Sequence, residues 1–252
     1  MSSAVGWIAS DVRRATRVCV YDRAGHGWSE PPDSPRDGEQ TATDLHTLLE
    51  RGDAPGPYVL AGHSFGGLYV QSFAAQYPAD VAGLVLVDTT RRSSAAAPAA
   101  SPDESSHDRT SRVSALLSST AELGVGRLLS RGSYDSLPPQ SADEAEATGS
   151  TVSNVRSTID EYLQAKDSSA QAAALDDLGD KPLVVLTAAI GSDADKIAAH
   201  GALTALSTNS AHRVVEGATH ESLLLAERDA AATTQAILDV VSSVRTGEGL
   251  AR

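Results

Sequence analysis

Residues 58–67 read YVLAGHSFGG, an apolar run that stops at a glycine-flanked serine, and the chain then continues in the helical pattern SFGGLYVQSFAAQYP. Gly62-His63-Ser64-Phe65-Gly66 fits G-x-S-x-G where that pattern has physical meaning, with a strand before it and a helix after it. So tight a turn strains its central residue and pushes the Ser64 hydroxyl out at the top of a sheet. It leaves no room for side chains two positions away, so glycine at 62 and 66 is expected as a steric requirement. The N–H groups of Phe65 and Gly66 then open a helix whose positive end favours a developing oxyanion, with Phe65 as the first donor.

The remaining chain supplies a setting for such a turn. RVCVYD (17–22), YVLAG (58–62), LVLVD (84–88), LVVLT (183–187) and HRVVE (212–216) are strand candidates, nearly continuous apolar runs of the kind buried on both faces. Longer helical patterns separate them: DGEQTATDLHTLLE places Leu45, Leu48 and Leu49 on one face, with Gly52 and Pro55 as stop signals. The tail from Glu221 to Arg245 reads as one amphipathic helix, with Leu224, Ala231, Ile237 and Val241 among its apolar positions. Strands alternating with helices predict an α/β class with a mostly parallel sheet. Residues 89–180 break the rhythm, being rich in Ser, Ala, Asp and Glu, and are expected to form a helical lid between two strands. Within them 91–110 and 132–150 read as mobile loops, and 112–130 and 151–177 as helical. The core is then 1–88 together with 181–252.

Charge excludes one partner class: Lys+Arg 20 against Asp+Glu 33 gives a net −13, which repels phosphate backbones and anionic headgroups. Neither nucleic acid nor a membrane is expected as a partner. With no run of eighteen apolar residues and no basic-then-apolar leader, the chain reads as soluble and cytoplasmic. The single cysteine, Cys19, lies inside RVCVYD and is expected to be a buried small hydrophobe.

A serine hydroxyl is a poor nucleophile near neutral pH and needs a base. Among seven histidines, His220 is best placed, because HRVVEGATH is a strand and a short loop ending in histidine before the last helix. It would reach the same carboxyl edge as Ser64. His63 is expected to leave the elbow on another side, His26 to be a turn residue at a pocket rim, and His46, His107, His200 and His212 to be solvated or structural. Two loops could supply the orienting acid. Asp88 ends LVLVD and is placed slightly ahead of Asp193 beyond LVVLT, with Asp195 behind it.

These motifs together resemble the α/β-hydrolase fold family, and within it the lidded hydrolases of actinobacterial type. The match is carried by YDRAGHGWS (21–29), GHSFGG (62–67), YPADVAGLVLVD (77–88), PLVVLT (182–187) and GATH (217–220). The resemblance implies a parallel sheet with a lid between its sixth and seventh strands. It also implies a small-molecule ester-type substrate, a Ser64–His220–Asp88 triad with Asp193 as the alternative acid, and no metal or cofactor. A serine at the nucleophile position argues against epoxide hydrolase or dehalogenase chemistry, which uses aspartate there. RVCVYD resembles the family's fourth strand, so the chain is expected to be N-terminally truncated, lacking the first three strands. The alternatives are a catalytically inactive binding protein of the same fold and an acyltransferase.

Overall fold

The computed structural model describes residues 1–92 and 134–251. Four strands, β1 (Tyr58–His63), β2 (Val81–Val87), β3 (Leu183–Ala188) and β4 (Ser210–Val215), form a sheet in the order β1-β2-β3-β4 with every pair parallel. Parallel neighbours require crossovers, and the described helices supply them. The helices are α1 (Gly6–Val12), α2 (Gly38–Arg51), α3 (Phe65–Gln76), α4 (Pro139–Gly149), α5 (Val152–Leu163), α6 (Ala165–Ala172), α7 (Ala194–Ala202), α8 (Ser222–Leu225) and α9 (Glu227–Thr246).

The period-2 alternation of the central strands feeds two cores. Leu84 and Leu86 of β2 and Leu183 and Val185 of β3 pack with Val70, Phe73 and Ala74 of α3. Their neighbours Val85, Val87, Val184 and Leu186 face the other way, onto Leu223, Ala236 and Val240. All of β3 is buried, as a strand with helices on both faces and a partner on each edge must be. Register fixes which ends align: His63 lies opposite Val87, and Val87 opposite Leu186, so the carboxyl ends form one edge.

Several sequence expectations change. Residues 17–22 are not a strand: they are irregular, Cys19 is exposed and Val20 is 50% exposed. β-propensity expresses itself only beside a partner, and among the described residues β1 is hydrogen-bonded on one edge alone, to β2. Asp22 anchors the segment instead, accepting from Ser2 N–H at 2.6 Å, the Ser2 hydroxyl at 3.1 Å and Trp28 N–H at 3.2 Å. The tail is two helices, because Ala226 is extended between α8 and α9, and Ala231 is exposed while Ala230 is fully buried. Residues 139–149, expected as loop, form α4, with prolines at and just before its first position. The helix expected at 112–130, the loop expected over most of 91–110, and His107 lie outside the described residues. No helix among the described residues is long and apolar enough to cross a membrane.

His26 is not at a rim. It is 6% exposed, with Nδ1 3.0 Å from Asn154 Oδ1 and Nε2 3.0 Å from Glu161 Oε1. Arg23 grips the same Glu161 in a fork, Nε at 2.7 Å and Nη2 at 2.9 Å, tying α5 to the loop after residue 22. Burial works against the Glu161 carboxylate, but the His26 and Arg23 hydrogen bonds and charge outweigh it and hold the group down at about 2. A depressed carboxyl stabilises the fold above its unfolded value and ceases to do so as pH falls toward the folded one. Denaturation midpoints should therefore favour the wild type over Glu161→Gln by about 2 kcal/mol near pH 7. That margin should close between about pH 5 and pH 2; a margin independent of pH would contradict the ion-pair account.

Candidate functional site

Three strand ends and one loop meet at the carboxyl edge, where open α/β sheets place their ligands. Ser64 follows β1 directly and sits at φ 55, ψ −123, a backbone region L-residues rarely occupy. It is over-determined there. Its N–H donates to Val87 O at 3.1 Å, and its carbonyl accepts from Gly67 N–H at 3.0 Å and Thr90 N–H at 3.1 Å. Phe65 is the first residue of α3, so its N–H is among those a helix leaves without an intrahelical partner.

Of the two glycines expected as steric requirements, Gly62 is one and Gly66 is not. A Cβ on Gly62 would lie 2.2 Å from Gly66 O and 2.7 Å from Gly67 N, so Gly62 is required by backbone. A Cβ on Gly66 would meet nothing within 4 Å. The second required glycine is Gly67, whose Cβ would fall 2.0 Å from Thr89 Oγ1. The turn is closed by the strand-end segment after Asp88, one position further along the helix than the motif suggests.

Asp88 follows β2 at φ 41, and its side chain is wholly buried. His220 Nδ1 donates to Asp88 Oδ2 at 2.6 Å, Lys196 Nζ donates to the same oxygen at 2.7 Å, and Ala188 N–H donates to Oδ1 at 3.2 Å. Burial alone would raise this carboxyl; the His220, Lys196 and Ala188 donors overcome it and hold the group well below the usual carboxylate range. Asp193 is elsewhere. It is exposed and caps α7, accepting from Lys196 N–H at 2.8 Å, while Asp195 is exposed in the first turn of that helix.

The His63 ring lies 4.2 Å from the His220 ring, tilted by 37°, and its Nε2–H donates to the His220 carbonyl at 2.8 Å. Burial, reinforced by the neighbouring His220, pushes His63 down to about 4, so it stays neutral and serves as a fixed donor. Behind Asp88 runs a hydrogen-bonded chain, buried at His200 and Thr187 and half-buried at His212, whose connection sequence reasoning did not foresee. His200 Nε2 donates to Thr89 O at 2.9 Å, leaving Nδ1 to accept from the Thr187 hydroxyl at 2.7 Å, and Thr187 in turn accepts from His212 Nε2 at 2.8 Å. Burial lowers both imidazoles, consistent with neutral rings relaying single protons. One signal was available: Lys196 and His200 are four apart, on one helix face.

The described residues also form an open cleft of about 410 Å³, walled by Arg23, Pro32, Thr41, Ser157 and Asp160 among others, and none of Ser64, Asp88 and His220 lines it. Tyr162 of α5 meets the Phe65 ring edge-on at 5.0 Å, so the helical segment before β3 reaches the elbow itself.

The profile of the alpha/beta hydrolase family matches residues 2–236. This chain belongs to the alpha/beta hydrolase family. Its likeness to an uncharacterized protein of Schizosaccharomyces pombe is local, 45% identity over 73 residues, 29% of this chain and 14% of that protein. The chain spans about a quarter or less of the lengths of such curated relatives. Solved structures match over far more of it. A thermophilic esterase from Thermogutta terrifontis, malate-bound, superposes with a TM-score of 0.69 at 22% identity, covering 97% of this chain and 86% of that one. The epoxide hydrolase CorEH without ligand gives 0.69 at 20% identity, covering 94% and 88%. At such identities the likeness speaks for the hydrolase fold and leaves the chemistry to the residues at the edge.

Proposed function

We propose that this member of the family is a serine hydrolase that cleaves a small carboxylic ester, or a lactone or amide, through an acyl-enzyme. The observation that carries the reading is the 2.6 Å contact of His220 Nδ1 with buried Asp88, at the sheet edge where Ser64 occupies its strained elbow. In this mechanism Asp88 keeps the proton of His220 on Nδ1, so Nε2 is free to accept one. Ser64 Oγ attacks the carbonyl carbon as Nε2 takes its proton; the oxyanion forms against Phe65 N–H; the imidazolium then protonates the leaving group. Water repeats the sequence on the acyl-enzyme, with no step that calls for a metal or cofactor.

Among the described residues neither Ser64 Oγ nor His220 Nε2 has a hydrogen-bond partner, which suits a pair that closes on substrate. Ser64 also weighs against the epoxide chemistry of CorEH, since an epoxide hydrolase of this family uses aspartate as nucleophile. We read β1 to β4 as the fifth to eighth strands of the family sheet, and residues 89–180 as the cap that sets substrate size.

Intact-mass measurement after fluorophosphonate treatment tests the reading. A single adduct on the wild type and none on Ser64→Ala is expected, together with loss of ester turnover by about three orders of magnitude or more. No adduct on folded wild-type protein would favour a ligand-binding role for the fold. Transfer of the acyl group to added alcohols in preference to water would mark an acyltransferase.

A further inference from the structure

The triad reading leaves one group unexplained: a lysine on the orienting acid. Lys196 Nζ and His220 Nδ1 donate to the same oxygen, Asp88 Oδ2, at 2.7 and 2.6 Å. The lysine is placed by the fold. Asp193 caps α7 through the Lys196 N–H at 2.8 Å, which sets the first turn of that helix beside the end of β3 and points the Lys196 stem at Asp88. The discarded acid candidate thus holds the residue that touches the acid in use.

Resting on the serine hydrolase reading, we infer that Lys196 is a positioning residue that sets the working pH of the site by sharing the Asp88 charge with His220. A carboxylate oxygen has lone pairs for two donors, so both contacts persist together. The ammonium cancels most of the charge that would otherwise stabilise an imidazolium on His220, and adds a like charge a few ångströms from it. The shared carboxylate oxygen therefore stabilises a charged ring less than an unshared one would, which favours the neutral imidazole that accepts the Ser64 proton.

The other groups facing the pair do not substitute for Lys196. His63, from the end of β1, is half-buried and neutral and is committed to the His220 carbonyl. His200, from the same helix, has Nδ1 3.8 Å from Asp88 Oδ1, but that nitrogen accepts from Thr187 and the ring is uncharged by the same accounting. Glu221, next in the chain to His220, is exposed to solvent, where its field is screened. Lys196 therefore supplies the one full positive charge on the Asp88 carboxylate among the described residues.

The test compares Lys196→Met and Lys196→Gln, both uncharged, with Lys196→Arg, which keeps the charge. Two readouts are used: the pH profile of kcat/KM on an activated ester, and the NMR titration of the His220 ring in a Ser64→Ala background. In the two neutral variants the acid limb and the ring titration should move up by about one pH unit, so activity at pH 6 falls several-fold more than activity at pH 8.5; in Lys196→Arg both should stay near the wild type. An unmoved limb with a lower plateau would reduce Lys196 to a structural anchor and overturn the inference, as would an equal shift in Lys196→Arg. The ring titration needs no turnover. If fluorophosphonate leaves Ser64 unmodified, the hydrolase reading falls while the Lys196 effect is still decided.

Discussion

Asp88→Asn is expected to lower turnover of an activated ester by about four orders of magnitude while leaving the chain folded. The backbone gives no reason for it to unfold, since Asp88 sits at φ 41 and asparagine is among the few residues that tolerate that region. Volume is conserved as well. What changes is the donor and acceptor count. The carboxylate accepts three donors, from His220, Lys196 and Ala188, and an amide cannot accept on both sides. If the amide oxygen faces His220 and Lys196, its NH₂ meets the Ala188 N–H. If the NH₂ faces His220, Nδ1 must become an acceptor and the ring proton moves to Nε2, where it blocks removal of the Ser64 proton. Either arrangement also leaves the Lys196 ammonium without its counter-charge. Initial rates with circular dichroism on the same sample check the outcome, and a variant within tenfold of wild type would remove Asp88 from the triad. Asp193→Ala is the control: loss of a helix cap should cost about 1 kcal/mol of stability and far less turnover.

How much of this was legible beforehand follows from what each residue needs. Ser64 and His220, the nucleophile and base of the proposed mechanism, could be nominated because each is defined by local chain context: a strand, a tight turn and a helix for one, a strand and a short loop before the last helix for the other. Asp88 could be placed only slightly ahead of Asp193, because both follow strands and only the lateral order β2-β3-β4 decides which carboxylate lies under His220. The contact of Lys196 with Asp88 was hidden for the same reason, its partner being 108 residues away, and the spacing from His200 marked only a shared helix face. RVCVYD shows the opposite failure: a strong local signal for a strand, with no neighbour among the described residues to hydrogen-bond to it. In 139–149 the Ala, Glu and Asp content that suggested a loop is equally that of a helix, and α4 takes that form with Ala145 and Thr148 turned inward.

The two glycines of the G-x-S-x-G motif should separate cleanly when each is replaced by alanine. For Gly62→Ala the added methyl would overlap Gly66 O at 2.2 Å, Gly66 C at 2.5 Å and Gly67 N at 2.7 Å, all backbone atoms of the first turn of α3. A side chain could rotate away; a helix turn can only translate. It is held from the other side, because Gly67 abuts Thr89 and its N–H is bonded to Ser64 O, which also accepts from Thr90. Relief therefore means parting α3 from β1 and β2 at the elbow, and a loss of about 3 kcal/mol is expected, at the upper end for overpacking. Any folded fraction would carry Ser64 displaced by some tenths of an ångström to 1 Å, enough to cost about a hundredfold in rate. Gly66→Ala meets nothing within 4 Å and replaces a helical glycine with the best helix former, so stability should hold or rise by up to about 1 kcal/mol. Thermal melts of the pair decide it. Equal destabilisation would mean that the motif's glycines serve backbone freedom, whereas loss at Gly62 alone assigns the constraint to the close approach of helix and strand that strains Ser64.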